Sequence, residues 1–106
     1  MASWDDVAAI GARLEGVEEG TWYGTPALKA GGKGFCRMRS DPDALVMLVA
    51  DEEDKEALLA GDPDVYFTIP HYDGHPFVLV RLDAIGRDEL AGLIEDGRRA
   101  RASTGR

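Results

Sequence analysis

The chain has 106 residues and a formal net charge of −8, from 12 Lys and Arg against 20 Asp and Glu. Its length corresponds to a single domain over residues 1–106, and its 44% hydrophobic content is typical of a globular protein. Taken as a whole, the acidic charge argues against a protein that coats nucleic acid or binds an anionic membrane.

Other classes of protein are disfavoured by the absence of their sequence signals. No apolar run approaches the roughly 18 residues of a membrane-spanning helix, and the first residues do not resemble a signal peptide. Cys36 is the single cysteine, so neither an intrachain disulfide nor a CxxC metal site is expected. These features together predict a cytoplasmic protein without a membrane partner.

The first half of the chain predicts one helix and then a series of strands. The helix begins after Ser3, a suitable N-cap, and ends at Gly16. A strand over residues 18–23 follows, and the Gly-Thr-Pro sequence at 24–26 predicts a turn. Residues 27–40 are typical of a β-hairpin that turns at a Gly-Gly pair.

The two faces of this hairpin differ in chemistry if side chains alternate strictly along each strand. One face then presents the apolar group Leu28, Cys36 and Met38. The other face presents the mainly basic group Lys29, Phe35, Arg37 and Arg39.

The second half predicts a buried strand, an acidic helix, two further strands and a final helix. Residues 45–50 are nearly all apolar, as in a central strand covered on both faces. Asp51 is a suitable N-cap for the acidic helix. Strands at 65–69 and 77–82 precede a helix from about Arg87, and residues 100–106 are expected to fray. The order α-β-β-β-β-α-β-β-α predicts an α+β fold, with helices packed against a mainly antiparallel sheet of about six strands.

The negative charge is confined to one part of the chain. Residues 41–64 carry nine acids and one base, Lys55, which accounts for the whole net charge of −8. The hairpin carries four bases and no acid, and residues 97–106 carry four arginines and no acid. The hairpin is therefore interpreted either as a basic surface that contacts phosphates while Phe35 stacks on a base, or as a solvated sheet face.

Residues 70–76, Pro-His-Tyr-Asp-Gly-His-Pro, contain the densest group of side chains that could bind a metal or transfer a proton. His71, Asp73 and His75 have the composition of a three-ligand metal site, but the prolines and Gly74 exclude the helix that would align them. The alternative is a hairpin loop that turns at Asp73-Gly74, and no bound metal or cofactor is expected. A nucleophilic pair of Cys36 with a histidine is disfavoured because Cys36 belongs to the apolar hairpin face.

Arg81 interrupts the last apolar strand, so it must lie on the wet face of the sheet or pair with an acid. It is interpreted either as part of an anion site with Lys29 and Arg37 or as the partner of an acid such as Asp83 or Glu18. No nucleotide-binding or hydrolase motif is present, and no catalytic residue is assigned.

Five sequence blocks taken together resemble the MmcQ/YjbR family of small bacterial proteins. They are TWYGTPALK at residues 21–29, GKGF at 32–35, DPD at 62–64, PHYDGHP at 70–76 and VRL at 80–82. The resemblance implies a compact α+β domain with an antiparallel sheet, similar to the double-wing fold of certain DNA-binding domains. It implies no catalytic residues, and its motif positions correspond here to Lys29, Lys33, His71, Tyr72, Gly74, Pro76 and Arg81.

Three hypotheses about function follow. In the first, the protein binds DNA or another nucleic acid weakly and in a salt-sensitive manner, through Lys29, Lys33, Phe35, Arg37 and Arg39. In the second, a protein or a small anionic ligand binds between the sheet face and the 70–76 loop, through His71, Tyr72, His75 and Arg81. In the third, His71 or His75 acts as the acid/base group of an enzyme, although no second positioned partner is identified.

Overall fold

The computed structural model describes residues 2–104 as three α-helices, a short 3-10 helix and one six-stranded sheet. In chain order the elements are α1 (Trp4–Ala12), β1 (Val17–Trp22), β2 (Thr25–Ala30), β3 (Lys33–Arg39), β4 (Ala44–Leu48), α2 (Glu52–Gly61), β5 (Tyr66–Phe67), the 3-10 helix (Pro70–Tyr72), β6 (Phe77–Val80) and α3 (Arg87–Thr104). The strands pair in the order β1-β2-β3-β4-β6-β5, and every neighbouring pair is antiparallel. This architecture confirms the predicted α+β fold.

The N-termini of α1 and α2 follow the predicted caps, whereas the C-terminus of α3 differs from the prediction. Asp6 accepts a hydrogen bond from the Ser3 backbone N–H at 2.9 Å, and the Asp51 side chain accepts one from the Asp54 N–H at 2.8 Å, as N-terminal caps do. At the other end of the chain, α3 continues to Thr104 where fraying was predicted from residue 100. The Arg101 Nε donates to the Gly34 carbonyl at 3.0 Å, which ties the last turns of α3 to the hairpin. Residues 105 and 106 lie outside the described part of the chain.

The central strand separates two apolar clusters of different size. All five residues of β4 are buried, which confirms the prediction of a strand covered on both faces. The larger cluster joins α1 and α3 to the sheet and includes Val7, Leu28, Met47, Val78, Leu90 and Ile94. The smaller one joins Ala44, Val46 and Leu79 to Tyr72 of the 3-10 helix. We call the first side the helix-covered face and the second the open face.

A β-bulge in the hairpin places Phe35 differently from the prediction. Leu28 pairs with Cys36 and Lys29 pairs with Gly34, so Phe35 is the extra residue of β3. A bulge interrupts the alternation of side chains, and Phe35 and Cys36 are both fully buried in the helix-covered cluster. The expectation that Phe35 shares a face with Lys29, Arg37 and Arg39 is therefore wrong, and its ring is not accessible for stacking on a base.

Candidate functional site: a groove on the open sheet face

Two adjoining cavities on the open face share Arg37 and His71, and we call them together the sheet groove. The cationic section has a volume of about 390 Å³ and is lined by Thr25, Arg37, Arg39, Ser40 and His71. The aromatic section has a volume of about 600 Å³ and is lined by Trp22, Tyr23, Arg37, Val46, His71, Tyr72, His75 and Phe77. Among the described residues, no Asp or Glu lines either section, although the whole chain carries a net charge of −8.

Arg37 is the cation that joins the two sections. It lies on β3 opposite Val46 of β4. One guanidinium nitrogen donates to Thr25 Oγ1 at 3.4 Å and to the Met38 carbonyl at 3.1 Å, and the other donates to Tyr72 Oη at 3.3 Å. All of these acceptors are neutral, so the guanidinium is oriented while its charge has no carboxylate partner within the described residues. A planar, oriented guanidinium of this kind suits bidentate recognition of an oxyanion.

Arg39 supplies the second guanidinium of the cationic section. It lies opposite Ala44 of β4, its Nη2 donates to the Asp41 carbonyl at 3.3 Å, and its guanidinium carbon lies 6.0 Å from the centre of the Tyr72 ring. Its Nε atom is buried and has no hydrogen-bond acceptor in the described part of the chain. Such unsatisfied buried donors are rare in folded proteins, and they are commonly completed by water, an ion or a ligand.

The 70–76 loop forms one wall of the groove and brings both histidines to it. His71 and His75 are exposed and line the aromatic section, whereas Tyr72 is buried between the loop and the sheet. The His71 ring packs edge-on against the Tyr72 ring, with 4.8 Å between ring centres. The two histidines therefore face one cavity, a convergence that their spacing in the sequence does not determine.

Lys55 of α2 donates hydrogen bonds to the backbone of this loop. The sequence did not identify it as a site residue. The residue is only 4% exposed, and its Nζ donates to the Tyr72 carbonyl at 2.7 Å and to the His75 carbonyl at 2.9 Å. The one sequence signal was its position as the single base among the nine acids of residues 41–64. The lone base of the acidic segment thus positions the groove wall.

Trp22 and Tyr23 form the outer wall, and sequence reasoning also assigned them no role. Their rings stack with 5.5 Å between centres and 27° between planes, and the Trp22 ring lies 6.0 Å from that of Phe77. A Cβ atom at Gly34 would lie 2.5 Å from the Trp22 ring. Glycine at position 34 is thus what allows the indole to lie across the sheet. The available signal was the aromatic pair directly before a glycine in the TWYG block.

The other predicted basic residues lie outside the groove. Lys29 is half-buried on the open face, where its side chain passes over Gly20 of β1. Lys33 lies at the hairpin turn and lines a separate cavity of about 330 Å³, together with Glu15, Arg98 and Arg101. The basic residues of the hairpin therefore do not form one surface. Arg37 and Arg39 line the groove, whereas Lys33 lines a separate cavity.

Arg81 lies at the far edge of the sheet and corrects the grouping made from sequence. Its backbone N–H donates to the Val65 carbonyl at 2.8 Å, just beyond the end of β6. Its guanidinium donates to the Pro63 carbonyl at 3.1 Å and lies 4.1 Å from the centre of the Phe67 ring. The structure thus separates Arg81 from Arg37 and from the groove histidines.

The one thiol of the chain is buried in this fold. Burial raises the pKa of the Cys36 thiol from its ordinary value of 9.0 to about 12, so it stays protonated at neutral pH. It also lies on the helix-covered face, away from both histidines. Across the described residues, no three His, Cys, Asp or Glu side chains come together in an arrangement that would hold a metal ion.

Comparisons with known proteins give the family. The YjbR family model matches residues 12–100, and the chain therefore belongs to the YjbR family. The uncharacterized proteins Mb2600 of Mycobacterium bovis and Rv2570 of Mycobacterium tuberculosis are each 39% identical to it over 110 residues, covering 91% of this chain and 85% of the relative. These matches confirm the resemblance drawn from the five sequence blocks.

A solved structure shows the same fold. The crystal structure of the Deinococcus radiodurans protein DR2400, with a DUF419 domain, aligns with a TM-score of 0.82 over 100% of this chain and 83% of that one, at 21% identity. At this level of identity the likeness concerns the fold alone. Within residues 2–104, no helix is long and apolar enough to cross a membrane.

Proposed function

We propose that this protein is a binding module for a small anionic ligand, which the sheet groove holds with Arg37 as its anchor. The observation that carries the proposal is the meeting of Arg37, Arg39 and His71 in a cavity whose described lining contains no carboxylate. In a chain of net charge −8, such a local cationic cavity is not a consequence of composition. It supports an electrostatic preference for an anion.

The chemistry of the cationic section suits oxygen atoms that carry negative charge. Two guanidinium groups and the Ser40 hydroxyl line one cavity, so an oxyanion placed there meets several hydrogen-bond donors at once. The Arg37 guanidinium is already oriented by Thr25 and Tyr72, which reduces the entropy that binding must remove. Arg39 also lines this section, so its guanidinium adds a second positive charge beside that of Arg37.

The direct test is a calorimetric titration with inorganic phosphate and pyrophosphate. We expect Arg37→Ala to weaken binding by about 10- to 100-fold, because a hydrogen bond to a charged group contributes about 1.5–3 kcal/mol. We expect Arg37→Lys to restore only part of the affinity, because an ammonium group does not reproduce the guanidinium fork. Arg13→Ala is the matched control, since Arg13 is exposed beyond the end of α1 and outside the groove. Equal losses in the Arg37 and Arg13 variants would contradict the proposal.

A second candidate function, weak nucleic-acid binding, is favoured by a different observation. The hairpin turn and the end of α3 share one cavity, where Lys33 lies with Arg98 and Arg101. This arrangement joins two basic segments that are distant in the sequence, and phosphate contacts of this kind give salt-sensitive binding. Glu15 in the same cavity and the ion pair of Arg98 with Glu95 at 2.6 Å reduce its net positive charge.

The two candidates respond to different substitutions. In a titration with labelled duplex and single-stranded DNA at about 50 mM salt, where phosphate contacts are favoured, the second candidate predicts that Lys33→Glu weakens binding and that Arg37→Ala has the smaller effect. The first candidate predicts the reverse ranking for phosphate. Absence of DNA binding by the wild type at this salt would remove the second candidate and leave the first in place.

A further inference from the structure

Tyr23 is the feature of the groove that binding of a simple anion does not explain. Among the described residues it is the one exposed large hydrophobic residue, with 77% of its surface accessible. It nevertheless contacts the groove on its inner side, because its ring stacks on Trp22 and lies 5.1 Å from the Arg37 guanidinium carbon. An aromatic ring thus lies at the rim of the groove with most of its surface exposed.

The backbone at this position makes the presence of a tyrosine more informative. Tyr23 and Gly24 form the two-residue connection between β1 and β2, with φ angles of 55° and 75°. Positive φ angles at both positions are typical of the type I′ turn, which favours Asn, Asp or Gly. A bulky residue in the left-handed region is strained, and such strain is found preferentially at functional sites. The turn itself therefore does not account for tyrosine, whereas a ring required at the groove rim does.

The sheet groove is divided into an aromatic part and a charged part, and one residue belongs to both. Trp22, Tyr23, Tyr72 and Phe77 line the aromatic section, and its volume of about 600 Å³ lies in the range of small-molecule sites. Arg37 lines this section and also the cationic section. A ligand that filled both sections would carry a flat apolar part on one side and an anionic group on the other.

We infer that the ligand of the sheet groove is an anion attached to a planar aromatic ring. The ring would pack against Tyr23 and Trp22, and the anionic group would accept hydrogen bonds from Arg37 and Arg39. This inference rests on the proposed anion-binding function and adds the requirement for a ring. A phosphate ester of a nucleoside and an aromatic carboxylate share this chemistry, and the experiment separates them.

The experiment uses Trp22 as the reporter, in a Trp4→Phe background that removes the other tryptophan. Trp4 lies on the helix-covered side, where its Nε1 donates to Glu19 at 3.2 Å, so this change leaves the groove residues in place. The full chain is titrated with adenosine 5′-monophosphate, benzoate, inorganic phosphate and adenosine. We expect the better of the two ring-bearing anions to bind about tenfold more tightly than phosphate, because stacking of one base on an aromatic ring contributes about this factor or more. We expect adenosine, which has the ring without the charge, to bind more weakly than the monophosphate.

Two variants at position 23 separate the ring from the fold. Tyr23→Asn suits the left-handed turn, so the protein should remain folded, and it should weaken binding of the ring-bearing anion about tenfold more than it weakens binding of phosphate. Tyr23→Phe should keep the wild-type preference. Stronger binding of the monophosphate than of benzoate would identify a phosphate ester, and the opposite order a carboxylate.

The failures of the inference and of the proposed function are distinguishable. If phosphate binds in an Arg37-dependent manner but neither ring-bearing anion binds more tightly, the ring requirement is overturned and the anion site stands. The same conclusion holds if Tyr23→Asn weakens binding of phosphate and of the monophosphate by equal factors. If none of the three anions binds, both the ring requirement and the proposed function are overturned.

Discussion

The helix-covered face and the open face of the sheet are made by the same strands and have opposite chemistry. On the helix-covered face, α1 and α3 cover the sheet, and burial raises the pKa of the Cys36 thiol. On the open face, the next residue of β3, Arg37, holds a charge among aromatic rings and hydroxyls without a carboxylate partner in the described residues. Residues adjacent in the sequence can therefore belong to unrelated environments, and the face of the sheet decides the role of each side chain.

The largest expected effect concerns Phe35. The sequence predicts that its ring stacks on a base, but the ring is buried on the helix-covered face. Phe35→Ala should lower the free energy of unfolding by about 3–5 kcal/mol, because it removes a fully buried aromatic side chain and leaves a cavity under α3. Urea unfolding followed by fluorescence measures this loss. At a urea concentration where the variant is still folded, it should bind phosphate or DNA as the wild type does. Normal stability together with lost DNA binding would show that Phe35 is a surface residue after all.

An intermediate effect is expected at Lys55, which connects the acidic helix α2 to the 70–76 loop. Lys55→Met should lower the free energy of unfolding by about 2–3 kcal/mol, because the Tyr72 and His75 carbonyls lose a charged donor. Hydrogen exchange of the 70–76 amides should accelerate more than that of β4, since the groove wall is released while the core strand is not. Glu56→Gln is the control, an exposed neighbour on the same helix. Equal acceleration in the loop and in β4 would indicate a general loss of stability rather than a positioning role for Lys55.

The smallest effect is expected in the free energy of unfolding at alkaline pH, through the buried Cys36 thiol. The folded-state pKa of Cys36 is raised from 9.0 to about 12, so above pH 9.0 the unfolded thiol ionises while the folded one keeps its proton. The folded state therefore loses stability as pH rises, by about 1 kcal/mol over the first pH unit above 9.0. Burial and the hydrogen bond to Glu89 also raise the pKa of Tyr66, which adds to the decline at higher pH. Cys36→Ala should show a shallower decline than the wild type in urea unfolding across this range, and parallel curves would contradict the burial of the thiol.

Much of the fold could be predicted from local sequence signals. The caps at Ser3 and Asp51 and the apolar run of β4 correspond to elements of the structure, because capping and side-chain periodicity act over only a few residues. The turn before β2 was displaced by one residue, since Tyr23 adopts a left-handed conformation that its residue type does not favour. The helical conformation of residues 100–104 was missed because α3 is tied to the hairpin through Arg101 and Gly34.

The candidate site was only partly predictable. The sequence singled out Arg37, Arg39 and the 70–76 loop, because charge without nearby acids and a proline-bracketed histidine pair are visible along the chain. It could not place Trp22 and Tyr23 beside them, since the Trp22 ring reaches the groove by lying across Gly34 and the Tyr23 ring stacks on Trp22. It also grouped Arg81 with Arg37, although the antiparallel pairing puts them at different parts of the sheet.

By itself the sequence determined the order of helices and strands, the confinement of the negative charge to residues 41–64 and membership of the YjbR family. Alternation along the strands already placed Arg37 and Arg39 opposite Leu28 and Cys36, whereas the packed sheet shows where that alternation is interrupted. The β-bulge buries Phe35 in the core and leaves Arg37 and Arg39 on the open face. Lys55 of the acidic helix α2 donates hydrogen bonds to the loop that carries both histidines. The physical reason is that caps and periodicity depend on neighbours along the chain, whereas burial and charge pairing depend on neighbours brought together by the sheet.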